Sequence, residues 1–270
     1  MKGAVVVIDA ADRAGGGVVQ AALRAHRPVV AVSTEPSELA HLRKQASRDL
    51  VTIRGSIATE SDGTQLAAAL RELARPIDGI VIATAGVPLG GRVLDHSVET
   101  FQRRLEADLF PQLAAARALL PVLTRGGRNG SYIVIGSPGA EHPWSGYSYC
   151  SIAAAAMNML VRVLHEEART LDVRVQLLAV NRPVRSSENC ACAGDDWPDA
   201  IAIGAQALAL VDRADPRIAD EAVVPFVPRV RKSRSEHADA AVDDGGDAVL
   251  EQTWRALKPI LDAAPKAQDK

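Results

Sequence analysis

Within nine residues the chain sets His142, Trp144, Tyr147, Tyr149 and Cys150. Imidazole, phenol and thiol are side chains that move protons or attack electrophiles near neutral pH. Aromatics are otherwise scarce, at 3% of 270 residues. The cluster therefore reads either as the lining of a pocket or as an apolar loop over a sheet edge. Cys150 as a nucleophile needs a nearby cation to lower its thiol pKa. His142 is the one such group close to it in sequence. The alternative for Cys150 is a small buried residue near a helix start. Cys190 and Cys192 have the spacing of a soft-metal pair, but no His or Cys beside them completes a site. No metal is expected, and that segment reads as a loop that lids a substrate. His26, His41, His96, His165 and His237 fall on segments expected to lie exposed at the surface.

The elements that must hold this cluster are legible from periodicity. Apolar runs rich in Val and Ile occupy Ala4–Ile8, Pro28–Val32, Val51–Ile53, Gly79–Ala83, Tyr132–Ile135, Val173–Leu178 and Ala222–Val227. Runs apolar on both faces are expected as parallel strands covered on both sides. Between them, helical spacing covers Gly17–Ala25, Glu38–Arg48, Ser61–Leu73, Val98–Leu123, Ser151–Thr170 and Asp199–Val211. Regular alternation of strand and helix predicts right-handed crossovers and one doubly wound α/β sheet with helices on both faces. That domain is expected over 1–228. Residues 229–247 are polar and charged and read as a linker; 248–270 hold a helix with Leu250, Trp254, Leu257 and Leu261, then a tail.

Between the first strand and first helix stands Ala11-Asp12-Arg13-Ala14-Gly15-Gly16-Gly17. A glycine-rich turn at that place lets backbone approach a pyrophosphate, and the helix N-terminus favours its charge. The other reading is a tight turn with no ligand. At the end of the second strand, Ser33 and Thr34 occupy the place of the acid that would hold a ribose 2′-hydroxyl. The missing carboxylate favours NADP over NAD, with Arg13 in reach of its phosphate, and a chain that binds no nucleotide fits equally.

Composition bounds the rest. Hydrophobic residues are 47%, charged residues 24%, and the net charge is -2. Near-neutral charge gives no electrostatic reason to expect nucleic acid or an anionic membrane as partner. No run approaches the roughly 18 apolar residues of a membrane span, and the N-terminus lacks a secretory pattern. Three cysteines make no disulfide framework, so a reduced cytoplasm is the expected location.

Several stretches together resemble the short-chain dehydrogenase/reductase family. Gly15 and Gly17 match its T-G-x-x-x-G-x-G pattern, with Ala11 where the first glycine belongs. Asp78-Gly79-Ile80-Val81-Ile82-Ala83-Thr84-Ala85-Gly86 is similar to D-x-L-V-x-N-A-G, whose Ala85-Gly86 end would support the adenine side of a cofactor. Ile133-Val134-Ile135-Gly136-Ser137 is similar to I-V-N-I-S-S. The run from Cys150 to Leu160 lies over Y-S-A-S-K-A-A-L-N-M-L without a gap. The resemblance implies a Rossmann-type fold over roughly residues 3–228. It also implies Ser137 as the hydroxyl that holds a substrate oxygen, and Asp108 where the family's Asn stands.

The same overlay puts Cys150 at the family's general-acid tyrosine and Ala154 at its lysine. Sliding the register recruits Tyr149 or Tyr147, yet no lysine lies between Lys44 and Lys232. A phenol without a cationic neighbour keeps a pKa near 10, so only about one molecule in a thousand is phenolate at pH 7. Ordinary ketone reduction is therefore not expected. Three functions remain. The first is a non-redox enzyme that cyclises, dehydrates or isomerises a carbonyl-bearing small molecule, as in a biosynthetic tailoring step. It would use Ser137, Asp108, Cys150 and His142, with Asp108 or His142 moving the proton and with Ser137, Asp108 and Cys150 expected in one cavity. The second is a non-catalytic subunit that pairs with an active relative; homodimers, homotetramers or heteromers through the fourth and fifth helices are implied by the resemblance. The third is an NADP-dependent oxidoreductase with Tyr149 or Tyr147 shifted into place.

Overall fold

The computed structural model describes residues 2–11, 13–44, 48–73, 75–83, 89–124, 130–185, 193–194 and 196–228. Ala85, Gly86, Cys190, Cys192, His237, the linker and the C-terminal helix lie outside the described residues. Seven strands, β1 (Ala4–Ile8), β2 (Val29–Ser33), β3 (Leu50–Arg54), β4 (Ile77–Ile82), β5 (Ser131–Ile135), β6 (Arg174–Ala179) and β7 (Val223–Pro225), form one sheet. Their order is β3-β2-β1-β4-β5-β6-β7, and every pairing is parallel. All five residues of β1, β2 and β5 are buried, as continuous Val/Ile runs require of strands covered on both faces.

Six α-helices cover the sheet: α1 (Arg13–Arg24), α2 (Pro36–Lys44), α3 (Glu60–Glu72), α4 (Val98–Leu123), α5 (Ser148–Ala168) and α6 (Ala200–Val211). α3, α4 and α5 pack on one face, where Leu66, Leu119 and Val161 meet Val6, Ile80 and Val134. α1, α2 and α6 pack on the other, where Val18, Leu42 and Ile203 meet Val5, Val29 and Val81. The crossover direction changes between β1 and β4, and ligands of such sheets bind at the carboxyl ends of the strands beside that point. No helix among the described residues is long and apolar enough to cross a membrane.

The first helix starts earlier than the glycines suggest. α1 begins at Arg13, so Gly15, Gly16 and Gly17 lie inside it and not in a turn before it. Two of them serve close packing. A Cβ on Gly15 would fall 2.2 Å from the Asp9 carbonyl oxygen, and one on Gly17 would fall 2.0 Å from the Ala200 carbonyl oxygen of α6. Gly204 of α6 answers in kind, since a Cβ there would lie 2.3 Å from the Gly17 carbonyl oxygen. α1 and α6 thus cross backbone against backbone.

Candidate active site

The start of α5 is held by a turn over residues 144–151. The Ser151 hydroxyl accepts the Trp144 amide at 2.8 Å and donates to the Tyr147 carbonyl at 3.1 Å. Gly139 takes φ +95, and a Cβ there would fall 2.7 Å from Ser151 Oγ, so this loop requires glycine. The loop after β4 is stitched to this turn: the Gly91 amide donates to the Gly146 carbonyl at 2.8 Å, and Gly91 bridges Tyr147 in parallel. The Leu89 backbone of the same loop lies where it favours the Cys150 thiolate.

α4 is capped by Ser97, whose side chain accepts the Thr100 amide, and then runs for 26 residues. Its early turns lean on the start of α5, with the Phe101 and Tyr149 ring centroids 5.3 Å apart. Arg104 and Asp108, three and seven residues beyond Phe101, lie on the same side of the helix. Burial pushes the Asp108 carboxyl above the ordinary carboxylate value, with the Arg104 guanidinium pulling back. Burial likewise raises the Cys150 thiol; the Leu89 backbone and Arg104 oppose this, and Asp108 adds to it. Asp108, Cys150 and Arg104 thus share one electrostatic environment, and Tyr147 joins them. Burial first, then Cys150, pushes its phenol up.

The other candidates have surroundings of their own. Tyr149 is buried between His96 and Phe101, its ring edge-on to His96 at 5.2 Å, and its hydroxyl has no hydrogen-bond partner. Tyr147 stacks on Trp144 with centroids 4.4 Å apart. Ser137 stands two residues past β5, exposed, and its hydroxyl makes no hydrogen bond among the described residues. His142 is exposed in the loop before α5. The cation that reaches Cys150 is therefore Arg104, from a helix remote in sequence, and not His142. His165, expected at the surface, is 4% exposed; its ring Nδ1 pairs with the Val175 carbonyl at 2.7 Å because α5 lies directly on β6. His96, packed on Tyr149, is half-buried.

The dinucleotide corner lies at the carboxyl ends of β1, β2 and β3. Of the three glycines, only Gly16 has open space where a Cβ would stand, its nearest neighbour being the Ala10 carbonyl oxygen at 3.8 Å. Ala11 and the exposed Arg13 flank it at the start of α1. A cavity of about 450 Å³ opens beside Thr34, Arg54, Ser56, Asp62 and Gln65. A carboxylate does stand at the end of β2. Glu38 accepts the Ser33 hydroxyl at 2.7 Å, and Arg54 faces Ser33 across the β2–β3 ladder. The sequence reading missed this acid because it sits five residues on, in α2, and reaches back. No His/Cys/Asp/Glu group suited to a metal ion occurs among the described residues.

Comparisons with known proteins agree with this architecture. The enoyl-[acyl-carrier-protein] reductase [NADH] of Aquifex aeolicus strain VF5 is 31% identical over 126 residues, 46% of each chain, so the match spans about half the length of that relative. A short chain oxidoreductase of Pseudomonas aeruginosa PAO1 described as containing an atypical catalytic center superposes with a TM-score of 0.72 at 17% identity. That superposition covers 87% of this chain and 98% of the other. The Pseudomonas aeruginosa protein RhlG, solved as an NADP active-site complex, has a TM-score of 0.68 at 22% identity over 83% and 94%. At such identities these two show a shared fold. Residues 3–182 match the short chain dehydrogenase family, and the chain belongs to it.

Proposed function

We propose that this family member moves protons on a carbonyl-bearing small molecule in place of transferring hydride to a ketone. The reaction class is cyclisation, dehydration or isomerisation, such as a biosynthetic tailoring step would need. One observation carries the reading: Asp108 is a half-buried carboxyl that makes no hydrogen bond among the described residues, and burial raises it while Tyr147 is pushed away from the phenolate. General acid–base catalysis works best when the catalytic pKa approaches the working pH, and burial moves a carboxyl that way. Cys150 and Ser137 would border the substrate. The cytoplasm suits a chain with a free thiol in its site.

The residues at the dinucleotide corner fit the adenosine end of a nicotinamide nucleotide: Gly16 and the α1 N-terminus for phosphate, Thr34, Arg54 and the cavity beside them for ribose and base. Such a cofactor would supply hydride. Glu38 removes the ground for preferring NADP, and the sequence equally suits a chain that works without nucleotide. Pairing through α4 and α5 is supported by exposed apolar side chains, Phe110 and Leu113 on α4 with Ile152, Met159 and Val163 on α5. A homodimer or homotetramer, or a heteromer with an active relative as in the non-catalytic reading, would cover them.

Proton exchange tests the reading directly. Simple ketones and β-keto esters are incubated with the protein in D2O without nucleotide, and loss of α-proton signal is followed by NMR. Exchange is expected, falling roughly 10²–10⁴-fold in Asp108→Asn. NADPH-dependent reduction of the same compounds that survives in Asp108→Asn would overturn it.

A further inference from the structure

Arg104 is absent from every motif of the chain, yet its setting is that of a working group. It lies one helical turn before Asp108 on α4, which places the guanidinium and the carboxyl on neighbouring positions of one helix face. Pairs at this spacing ordinarily close into an ion pair, but none forms here within 4.0 Å among the described residues. Arg104 Nε is buried with no hydrogen-bond partner among the described residues, although the residue as a whole is half-buried. Asp108 likewise makes no hydrogen bond among the described residues. By contrast the buried Arg27 makes three bonds and the half-buried Arg213 two, while Arg185 is the other arginine whose buried Nε lacks a partner among the described residues. Buried polar groups in native proteins are satisfied, and an exception needs a reason.

The neighbours supply the reason. Phe101, three residues before Arg104, touches Tyr149, so this face of α4 meets the first turn of α5, where Cys150 stands. A guanidinium, a carboxyl and a thiol are therefore electrostatic neighbours where these two helices meet, with the two charged groups unjoined. We infer that Arg104 anchors an anionic oxygen of the substrate, so that the carbonyl compound taken by this site carries a carboxylate or forms an enolate beside Asp108. The planar guanidinium offers paired donors to such an oxygen, and charge-assisted bonds of this kind are roughly twice as strong as neutral ones. Burial raises the Asp108 carboxyl, which lessens its repulsion of the anion and favours its holding a proton for transfer to it. This deepens the acid–base reading of the same site and rests on it.

Cys150 makes the inference measurable without a known substrate. Iodoacetate and iodoacetamide both alkylate a thiolate with loss of iodide, and they differ in charge. Taking the ratio of their rates at one sulfur cancels any change in thiol pKa. The ratio is measured on the native protein by mass spectrometry of the Cys150 peptide, and again in urea as the baseline. In the native protein iodoacetate is expected to gain on the order of tenfold over that baseline, as charge-assisted capture of its carboxylate would give. Arg104→Gln should return the ratio to the baseline, Arg104→Lys should keep part of the gain, and added salt should erode it. Far-ultraviolet circular dichroism and melting show that each variant is folded. A native ratio equal to the urea ratio, or one that Arg104→Gln leaves unchanged, overturns the role of Arg104 and leaves Asp108 proton transfer standing. A Cys150 that neither reagent reaches in the folded protein overturns both, because the site then admits no small molecule.

Discussion

The two edges of the sheet treat charge in opposite ways. At the amino edge, Arg27 is 4% exposed and saturated. Its Nε donates to the Gly3 carbonyl at 2.7 Å, Nη1 to Asp212 at 2.5 Å and Nη2 to Asp78 at 2.9 Å. Lys2 adds a second bond to Asp212. One guanidinium thus ties the start of β1, the turn before β2, the start of β4 and the end of α6. At the carboxyl edge, Arg104 and Asp108 share a helix face and do not bond to each other, and Ser137 and Tyr149 carry hydroxyls without hydrogen-bond partners among the described residues. Charges that hold a fold find one another; on the proposed reading, charges meant for a ligand are the ones left unjoined.

The largest test of this contrast is Arg27→Met. It removes the guanidinium that Asp78 and Asp212 share and is expected to remove about 3–5 kcal/mol of stability, read by urea denaturation. A loss below about 1 kcal/mol would erase the distinction between the edges. Gly204→Ala comes next. Its methyl group would press on the Gly17 backbone, where a Cβ falls 2.3 Å from the carbonyl oxygen, and overpacking of that kind costs about 1–3 kcal/mol. Calorimetric melting checks it, and a neutral result would mean that α1 and α6 part easily.

The smallest effect is in pH dependence, and there the sign carries the information. Burial acts to raise Asp212, but the hydrogen bonds and charges of Lys2 and Arg27 outweigh it and hold the carboxyl below the ordinary value near 3.8. Its contribution is therefore complete above that value and lost as the pH falls through the lowered one. Asp108 runs the other way. Its raised pKa means the folded protein prefers the proton, so stability declines as the pH climbs from 3.8 through the raised value. Asp108→Asn should thus melt slightly above the parent at pH 7, with the gap closing below pH 3.8. An Asn variant that melts lower at pH 7 would mean that Asp108 is a structural anchor after all.

The fold was largely legible in the sequence because its signals are local and repeated. Short runs of valine and isoleucine, apolar on both faces, became the strands of one sheet, and α4 begins and ends where its periodicity predicts, Val98–Leu123. Candidate site residues could be named where a chemistry-bearing side chain falls within a motif, as at Ser137, Asp108 and Tyr147 to Cys150. Arg104 was not, because what matters about it is a meeting of two helices that no spacing within either announces. Glu38 escaped for a similar reason, since a side chain reaching back to Ser33 places an acid where the strand end itself has none. Gly17 reads as part of a phosphate turn, but its partner is Ala200, near the other end of the domain.

The seat of Gly17 against Ala200 also governs how the chain is made. The first helix finds its tightest contact on almost the last one, so the glycine face of α1 stays uncovered during synthesis until α6 has left the ribosome. Closing so long a loop is slow compared with forming the local β-α units between them. The α1–α6 seam is then expected to close late in folding, and a chain cut short before Ala200 would leave the glycine face of its first helix without this cover.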